Sequence, residues 1–178
     1  MNSIETITID PGLAGGIAMR YRDGRVLAFA MPRTDTEILD LVQRILPEGH
    51  DRSSMRAYLE KVGGYIGRPQ PGSAMFKFGV NYGFVLGLLM ALGVPVVLIR
   101  PQQWQAALQL GKASNYPTKP AWKRHLRDEA TRRFPHLHPT LATADALLML
   151  EAVNIISAPS PAPCGAGVTA GTSLETKP

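Results

Sequence analysis

Three short β-like segments, separated by glycine turns, open the chain and constrain its fold more than any other feature. They cover residues 4–9, 15–21 and 25–30, and the turn Arg22-Asp23-Gly24 separates the second from the third. Segments of this length joined by such turns are typical of an antiparallel meander. A sheet that starts at the N-terminus is therefore predicted.

The later segments alternate between helical and β periodicity. Thr34 and Glu37 form a capping box before a helix that should end near Pro47. A right-handed crossover can then return the fourth strand beside the first and parallel to it. The predicted fold is α/β: a mixed five-stranded sheet flanked by helices, with an apolar fifth strand inside the sheet. The remaining predicted strands cover residues 55–62 and 94–99, and the helices cover residues 74–92, 101–108, 119–134 and 141–156.

Length and composition indicate one domain and a tail. The 178 residues, 45% of them hydrophobic, can build one sizeable core, assigned to residues 1–156. Residues 157–178 are rich in proline and small residues and should be disordered. The lone cysteine, Cys164, excludes a disulfide framework. No uninterrupted apolar run of membrane-spanning length and no secretory signal is found, so a cytoplasmic protein without a membrane partner is expected.

Three acids lie beside apolar segments, where an unpaired carboxylate is costly. Asp10 ends the first strand, Glu60 ends the fourth, and Asp145 lies in the apolar run Leu-Ala-Thr-Ala-Asp-Ala-Leu-Leu. The crossover should bring Asp10 and Glu60 to one edge of the sheet, and a helix lying across the sheet would add Asp145. Carboxylates suit Mg²⁺ or Mn²⁺. Alternatively, Asp10 is a turn former, Glu60 a surface residue and Asp145 a first-turn charge.

Basic residues are concentrated between positions 100 and 133, in a chain of net charge +5 and pI near 9.6. Such a stretch is either a solvated helix face or a surface that follows a phosphate backbone. Its members are Arg100, Lys112, Lys119, Lys123, Arg124, Arg127, Arg132 and Arg133.

A series of short motifs, in this order, gives the chain a family resemblance over about residues 4–155. They are Thr-Ile-Asp-Pro-Gly ending at Gly12, Leu59-Glu60, the helix around Phe78-Gly79-Val80-Asn81-Tyr82-Gly83, Arg100-Pro101-Gln102-Gln103-Trp104, and Ala144-Asp145-Ala146. The chain resembles the RuvC-type Holliday junction resolvases of the ribonuclease H-like superfamily, in a form similar to those of phages.

The resemblance implies a homodimeric endonuclease of a bacterial or phage-infected cell that makes paired symmetric nicks in four-way DNA junctions, leaving 5′-phosphates. Asp10, Glu60 and Asp145 would bind Mg²⁺ or Mn²⁺, with two ions per active site. Lys119 would lie near the scissile phosphate. Glycines 79, 83 and 87 would pack at the dimer helix. The DNA-binding residues would be Tyr65, Arg68, Lys77, Lys112, Lys119, Lys123, Arg124 and Arg127.

The chain also departs from the family pattern. Where members often carry a fourth acid or a histidine, one turn before the last aspartate, this chain has Ala142. His138 is the candidate substitute, unless it is a surface or capping residue. Tyr65 is the candidate for an aromatic wedge that is shifted along the chain. Trp104 and Trp122 either stack on bases or anchor the core.

Two other functions remain compatible with these residues. A catalytically silent module of the same fold would bind junctions without cutting them, as the loss of a ligand at Ala142 suggests. A ribonuclease H-like nuclease could instead act on RNA–DNA hybrids. A sugar-kinase or actin-like ATPase shares the first turn but needs a second lobe that 178 residues cannot hold.

Overall fold

The sheet is mixed and five-stranded. In the computed structural model, which describes residues 3–46, 52, 54–63 and 71–157, the strand order is β3-β2-β1-β4-β5. β1 is antiparallel to β2, and β2 to β3, whereas β1, β4 and β5 run parallel. The α/β class and the mixed five-stranded sheet are therefore as predicted, including the crossover that returns β4 beside β1. The strands are β1 Ile4–Asp10, β2 Gly16–Tyr21, β3 Val26–Ala30, β4 Arg56–Glu60 and β5 Val96–Ile99.

The fifth strand lies at the edge of the sheet, so the prediction that it is internal is wrong. Among the described residues it pairs with β4 alone, and Val97 and Leu98 are 39% and 43% exposed. An uninterrupted apolar run predicted two covered faces. Here the run is short and its middle residues face solvent.

The part of the chain that the structure describes has five α-helices, which are α1 Asp35–Ile45, α2 Gly72–Ala91, α3 Pro101–Ala107, α4 Lys119–Arg133 and α5 Ala144–Ser157. The capping box of Thr34 and Glu37 is present at the start of α1. α5 begins later than predicted, at Ala144, because residues 141–143 form a turn in which Thr140 and Thr143 bond to each other. Asp145 consequently lies in the first turn of α5. The predicted tail lies outside the described residues from position 158 onward.

Alternation along β1 gives the sheet two different faces. Ile7 and Ile9 belong to the core beneath α1 and α2, which also contains Val85 and Leu89 of α2. On the opposite face, the Oγ1 of Thr8 donates a hydrogen bond of 2.7 Å to the backbone carbonyl of Ala146 in α5. Because Asp10 follows Thr8 by two positions, its side chain is on the α5 face.

The glycines that end the first turn allow α5 to approach the sheet. A Cβ built on Gly16 would lie 2.6 Å from the carbonyl oxygen of Ala142 and 2.8 Å from that of Phe29. A Cβ on Gly15 would lie 2.1 Å from the carbonyl oxygen of Asp10. The segment before α5 is thus packed directly on the backbone of β2, and this contact fixes the start of α5.

Helix α2 packs on the core along one narrow face. Its buried residues are Asn81, Val85 and Leu89, whereas Phe76 and Val80 are 73% and 47% exposed. At 20 residues, α2 is the single helix in the described part of the chain that is long and apolar enough to cross a membrane by length and composition.

Candidate active site at the sheet edge

Asp10 and Glu60 lie side by side at the carboxyl ends of β1 and β4. The two strands are parallel, and Ile9 is paired with Leu59. Asp10 and Glu60, the next residue of each strand, are therefore neighbours. Tyr58, two residues before Glu60, packs against the core on the α5 side of the sheet. With a side-chain period of two, both carboxylates therefore point to that side. The predicted meeting of these two acids at one sheet edge is confirmed.

Asp145 completes the group from the first turn of α5. The helix is fixed over β1 and β2 by the Thr8–Ala146 hydrogen bond and by the ion pair between Arg20 and Glu151, at 3.1 Å. Asp145 is 5% exposed. Its Oδ1 atom is buried and has no hydrogen-bond partner among the described residues.

Two lysines reach the acids from α4. Thr118 caps this helix by accepting from the backbone N–H of Ala121, and Trp122, Leu126 and Ala130 bury its inner face. Lys119 and Lys123, four residues apart, project from the same side. The Lys123 ammonium donates to Oδ2 of Asp145. Sequence reasoning placed Lys123 on a DNA-binding surface, but the structure places its ammonium inside the acid group.

Glu60 is held by a tryptophan that the motif alone did not assign to the site. The indole Nε1 of Trp104 donates a hydrogen bond of 3.0 Å to Oε2 of Glu60. Trp104 is fully buried. It is on α3, which starts directly after β5, and β5 pairs Ile99 with Glu60. The available signal was therefore topological, because a helix that follows the neighbouring parallel strand begins at the same sheet edge.

Burial and the neighbouring negative charges raise the pKa values of Asp10 and Glu60. Burial, followed by the charges of Glu60 and Asp145, raises the pKa of Asp10 from 3.8 to about 8, although Lys123 and Lys119 oppose this shift. Burial also raises the pKa of Glu60, against the hydrogen bond from Trp104. Burial disfavours the charged form of Lys123, but Asp145 and the other two acids outweigh it and raise its pKa. Mutual repulsion of this kind is relieved when a cation binds.

A divalent ion fits the donor chemistry of this group but not its present arrangement. Three carboxylates with an unpartnered buried oxygen are suited to Mg²⁺ or Mn²⁺. Nevertheless, the described residues contain no group of three or more His, Cys, Asp or Glu side chains placed to hold a metal ion. Glu60 is bonded to Trp104 and Asp145 to Lys123. Binding of one ion by all three acids would therefore require Glu60 and Asp145 to change partners.

The turn after Asp10 is held by α2. Gly12 has φ +106°, which other residues rarely adopt, and its N–H donates a hydrogen bond of 3.0 Å to Oδ1 of the buried Asn81. A Cβ at position 12 would also lie 2.9 Å from the ring of Phe78. Asn81 and Gly12 therefore fix where β1 ends and where Asp10 lies.

An open cavity of about 1010 Å³ adjoins Asp10. The glycine turn forms its floor and α2 forms one wall, with Phe76, Phe78 and Val80 providing apolar surface. Its cationic side chains belong to Arg33, Lys77, Lys119 and Lys123. A ligand that carries both negative charges and flat apolar groups would be complementary to this lining.

Most of the other predicted residues that the structure describes are exposed. His138 is exposed, has φ 48° and follows a short 3₁₀ turn. Lys112 and Arg124 are exposed, and Arg127 pairs with Asp128 at 2.7 Å. Tyr65 and Arg68 lie outside the described residues. The burial of Trp122, like that of Trp104, supports its prediction as a core anchor.

The solved structures that are similar to this chain include two of a RuvC protein. A Thermus thermophilus RuvC structure is 19% identical with a TM-score of 0.47, and covers 85% of this chain and 95% of that chain. T. thermophilus RuvC in complex with Holliday junction substrate is 17% identical with a TM-score of 0.45, covering 85% and 94%. No protein-family model and no curated protein matches the chain. What the chain does is therefore inferred from its own residues.

Proposed function

We propose that this protein is a metal-dependent, structure-selective DNA endonuclease that resolves four-way junctions by paired symmetric nicks. The observation that carries the proposal is the convergence of Asp10, Glu60 and Asp145 at one edge of the sheet, with Lys119 beside Asp10. Buried carboxylates that repel one another destabilise a fold unless a cation uses them. Such perturbed groups in a cleft are typical of functional sites.

The chemistry is phosphodiester hydrolysis. Asp10, Glu60 and Asp145 would hold Mg²⁺ or Mn²⁺, which supplies an activated water and stabilises the leaving oxygen. Two ions are expected from the family resemblance. Trp104 orients the Glu60 carboxylate, and Asn81 holds the turn that follows Asp10. Lys119, at the cavity wall, would neutralise a phosphate there.

DNA is supported as the substrate class by charge and shape together. The chain carries a net charge of +5, and Lys77 and Lys119 line the cavity next to the acids. Lys112 and Arg124 add exposed positive charge on the same stretch of chain as α4. Neutralising phosphates by such residues supplies most of the affinity for nucleic acid.

A four-way junction and a homodimer are proposed from the RuvC-like motif order and from the exposed face of α2. A Cβ built on Gly79, Gly83 or Gly87 would meet nothing within 4 Å among the described residues. Phe76 and Val80 lie exposed on the same helix. A second copy could approach α2 closely there, and a two-fold dimer would place two sites on a two-fold junction. Such a protein would act in the cytoplasm of a bacterial or phage-infected cell.

The catalytically silent junction-binding module is the second candidate. Two observations favour it: Asp145 is bonded to Lys123, and Ala142 stands where family members often carry a fourth metal ligand. A nuclease acting on RNA–DNA hybrids is a third outcome, since one fold serves several substrates.

The test is to incubate the protein with a labelled immobile four-way junction, a matched linear duplex and an RNA–DNA hybrid, each with Mg²⁺, Mn²⁺ or chelator. Symmetric, metal-dependent nicking of the junction alone is expected. Asp10→Asn and Asp145→Asn should each abolish nicking and leave junction binding within about threefold, because each exchanges a carboxyl group for an amide of similar size and leaves the basic side chains in place. Tight binding without cleavage in any metal would favour the silent module, and cleavage of the hybrid alone would favour the ribonuclease.

A further inference from the structure

Lys123 behaves as an internal cation of the acid group. Its ammonium is bonded to Oδ2 of Asp145, and the side chains of the two residues are 33% and 8% exposed. Asp10 and Glu60 also act on its charge. By contrast, Arg124, the next residue on α4, is exposed to solvent. Lys123 thus places a positive charge among the three carboxylates.

Lys123 uses only one of the two carboxylate oxygens of Asp145. Asp145 uses Oδ2 for the lysine, while its buried Oδ1 has no hydrogen-bond partner among the described residues. An unpartnered buried carboxylate oxygen beside other acids is an acceptor for a further cation. The ammonium offers only three donors and a single charge, whereas a divalent ion can be coordinated by several carboxylates at once.

We propose that Lys123 competes with the divalent metal ion for Asp145, keeps metal affinity low in the free protein, and releases Asp145 when a DNA phosphate provides another partner. This inference rests on the proposed function and adds regulation to the same site. A lysine suits the task because its charge is carried on a flexible four-carbon stem. The cavity that adjoins Asp10 is lined by Lys123, so its ammonium can reach a bound backbone there.

The proposal makes metal binding and DNA binding mutually dependent. If a phosphate draws Lys123 away from Asp145, DNA must strengthen metal binding, and metal must strengthen DNA binding by the same factor. Removing the lysine charge should remove this coupling. Lys119, one turn earlier on α4, acts on Asp10 through its charge and is not bonded to Asp145. It is therefore the matched control for the general effect of a positive charge.

The experiment measures Mn²⁺ binding to the metal-free protein, from the electron paramagnetic resonance signal of free Mn²⁺. Lys123→Met should bind Mn²⁺ at least about tenfold more tightly than the wild type, a difference of about 1.4 kcal/mol. Lys123→Gln should do the same, which guards against misfolding of one variant. Lys123→Arg, which retains the charge, should stay weak, and Lys119→Met should change the affinity by less than about threefold.

A second titration adds a junction with phosphorothioate linkages around its branch point, which resists cleavage. The wild type should then bind Mn²⁺ about tenfold more tightly than without DNA, whereas Lys123→Met should gain little. Equal gains in both proteins would overturn the proposed release by phosphate.

The outcomes separate the two proposals. If Lys123→Met binds Mn²⁺ no more tightly than the wild type, or no more tightly than Lys119→Met, while the wild type nicks junctions, competition is wrong and the proposed nuclease stands. If neither protein binds Mn²⁺ at millimolar concentrations and neither nicks DNA, the metal-dependent nuclease itself is wrong and the competition proposal falls with it.

Discussion

The indole Nε1 of Trp104 lies 3.0 Å from Oε2 of Glu60 and donates a hydrogen bond to it. The ring itself is fully buried, in the core that α3, α4 and α5 share. One end of this side chain therefore belongs to the hydrophobic core and the other to the acid group. Packing that fixes the ring also fixes the carboxylate, which is how a supporting residue improves the geometry of a site.

Trp104→Phe should reduce junction nicking by about tenfold and leave junction binding unchanged. Phenylalanine keeps most of the buried surface but cannot donate to Glu60, and a hydrogen bond to a charged group contributes about 1.5–3 kcal/mol. The single-turnover nicking rate and the thermal midpoint measure the two effects. Trp122→Phe is the control, because Trp122 is also buried but is packed against Tyr116 and His125. Similar loss of nicking in both variants would mean that Trp104 matters only for packing.

Asp10 should make the metal-free protein less stable as the pH rises. Its pKa is 3.8 in the unfolded reference and about 8 in the fold, so the folded state retains a proton that the unfolded state loses. The stability due to this group is present below pH 4 and disappears as the pH rises through 8. Asp10→Asn cannot ionise, and should exceed the wild type in stability at pH 9 by the order of a few kcal/mol, with a smaller difference at pH 5.

Urea unfolding in the presence of chelator, at pH 5, 7 and 9, checks this expectation. The difference in unfolding free energy between Asp10→Asn and the wild type should grow steadily with pH. Added Mg²⁺ should reduce it, because metal binding favours the ionised carboxylate. A difference that does not change with pH would mean that Asp10 is ionised throughout this range.

The sheet and the pair Asp10–Glu60 could be predicted because both depend on local patterns and on one topological rule. β-branched segments and glycine turns define the strands, and the handedness of the crossover then places β4 beside β1. The position of β5 could not be found in this way. A short apolar strand has the same appearance at an edge and inside a sheet, and only its neighbours distinguish the two cases.

The contacts of Lys123 and Trp104 could not be predicted for a different reason. Both contacts depend on residues that are far apart in the sequence, because α3 and α4 both pack against α5. In the sequence, Lys123 looks like one of several bases on a polar helix. The helix period relates it to Lys119, but nothing in the chain order relates it to Asp145 until α5 is placed over the sheet.

Lys112 and Arg124 provide a test of the basic surface. Both are exposed and lie outside the ion pairs found among the described residues. Replacing both by alanine should weaken junction binding and lower the slope of log affinity against log salt by about one for each phosphate that is no longer neutralised. Binding isotherms at several salt concentrations measure this slope. Arg132, which is paired with Glu129 at 2.9 Å, is the control. An equal effect of Arg132→Ala per charge removed would point to net charge alone.

Gly83→Leu should separate folding from dimer formation. A Cβ at Gly83 meets nothing within 4 Å among the described residues, and leucine is a better helix former than glycine by about 1 kcal/mol, so the monomer should keep its stability. A close helix contact across the glycine face would be blocked. Sedimentation equilibrium should therefore show a dimer for the wild type and a monomer for the variant, and paired nicks should become single, uncoordinated ones.

Asp40→Leu is the matched control for this variant, because it places the same side chain on an exposed position of α1. It should remain dimeric and make paired nicks. If Gly83→Leu is also dimeric, the exposed face of α2 is not the dimer contact, and the two active sites must be related through another surface. If the wild type is itself monomeric at concentrations at which it nicks junctions in pairs, symmetric cleavage requires assembly on the DNA rather than a dimer in solution.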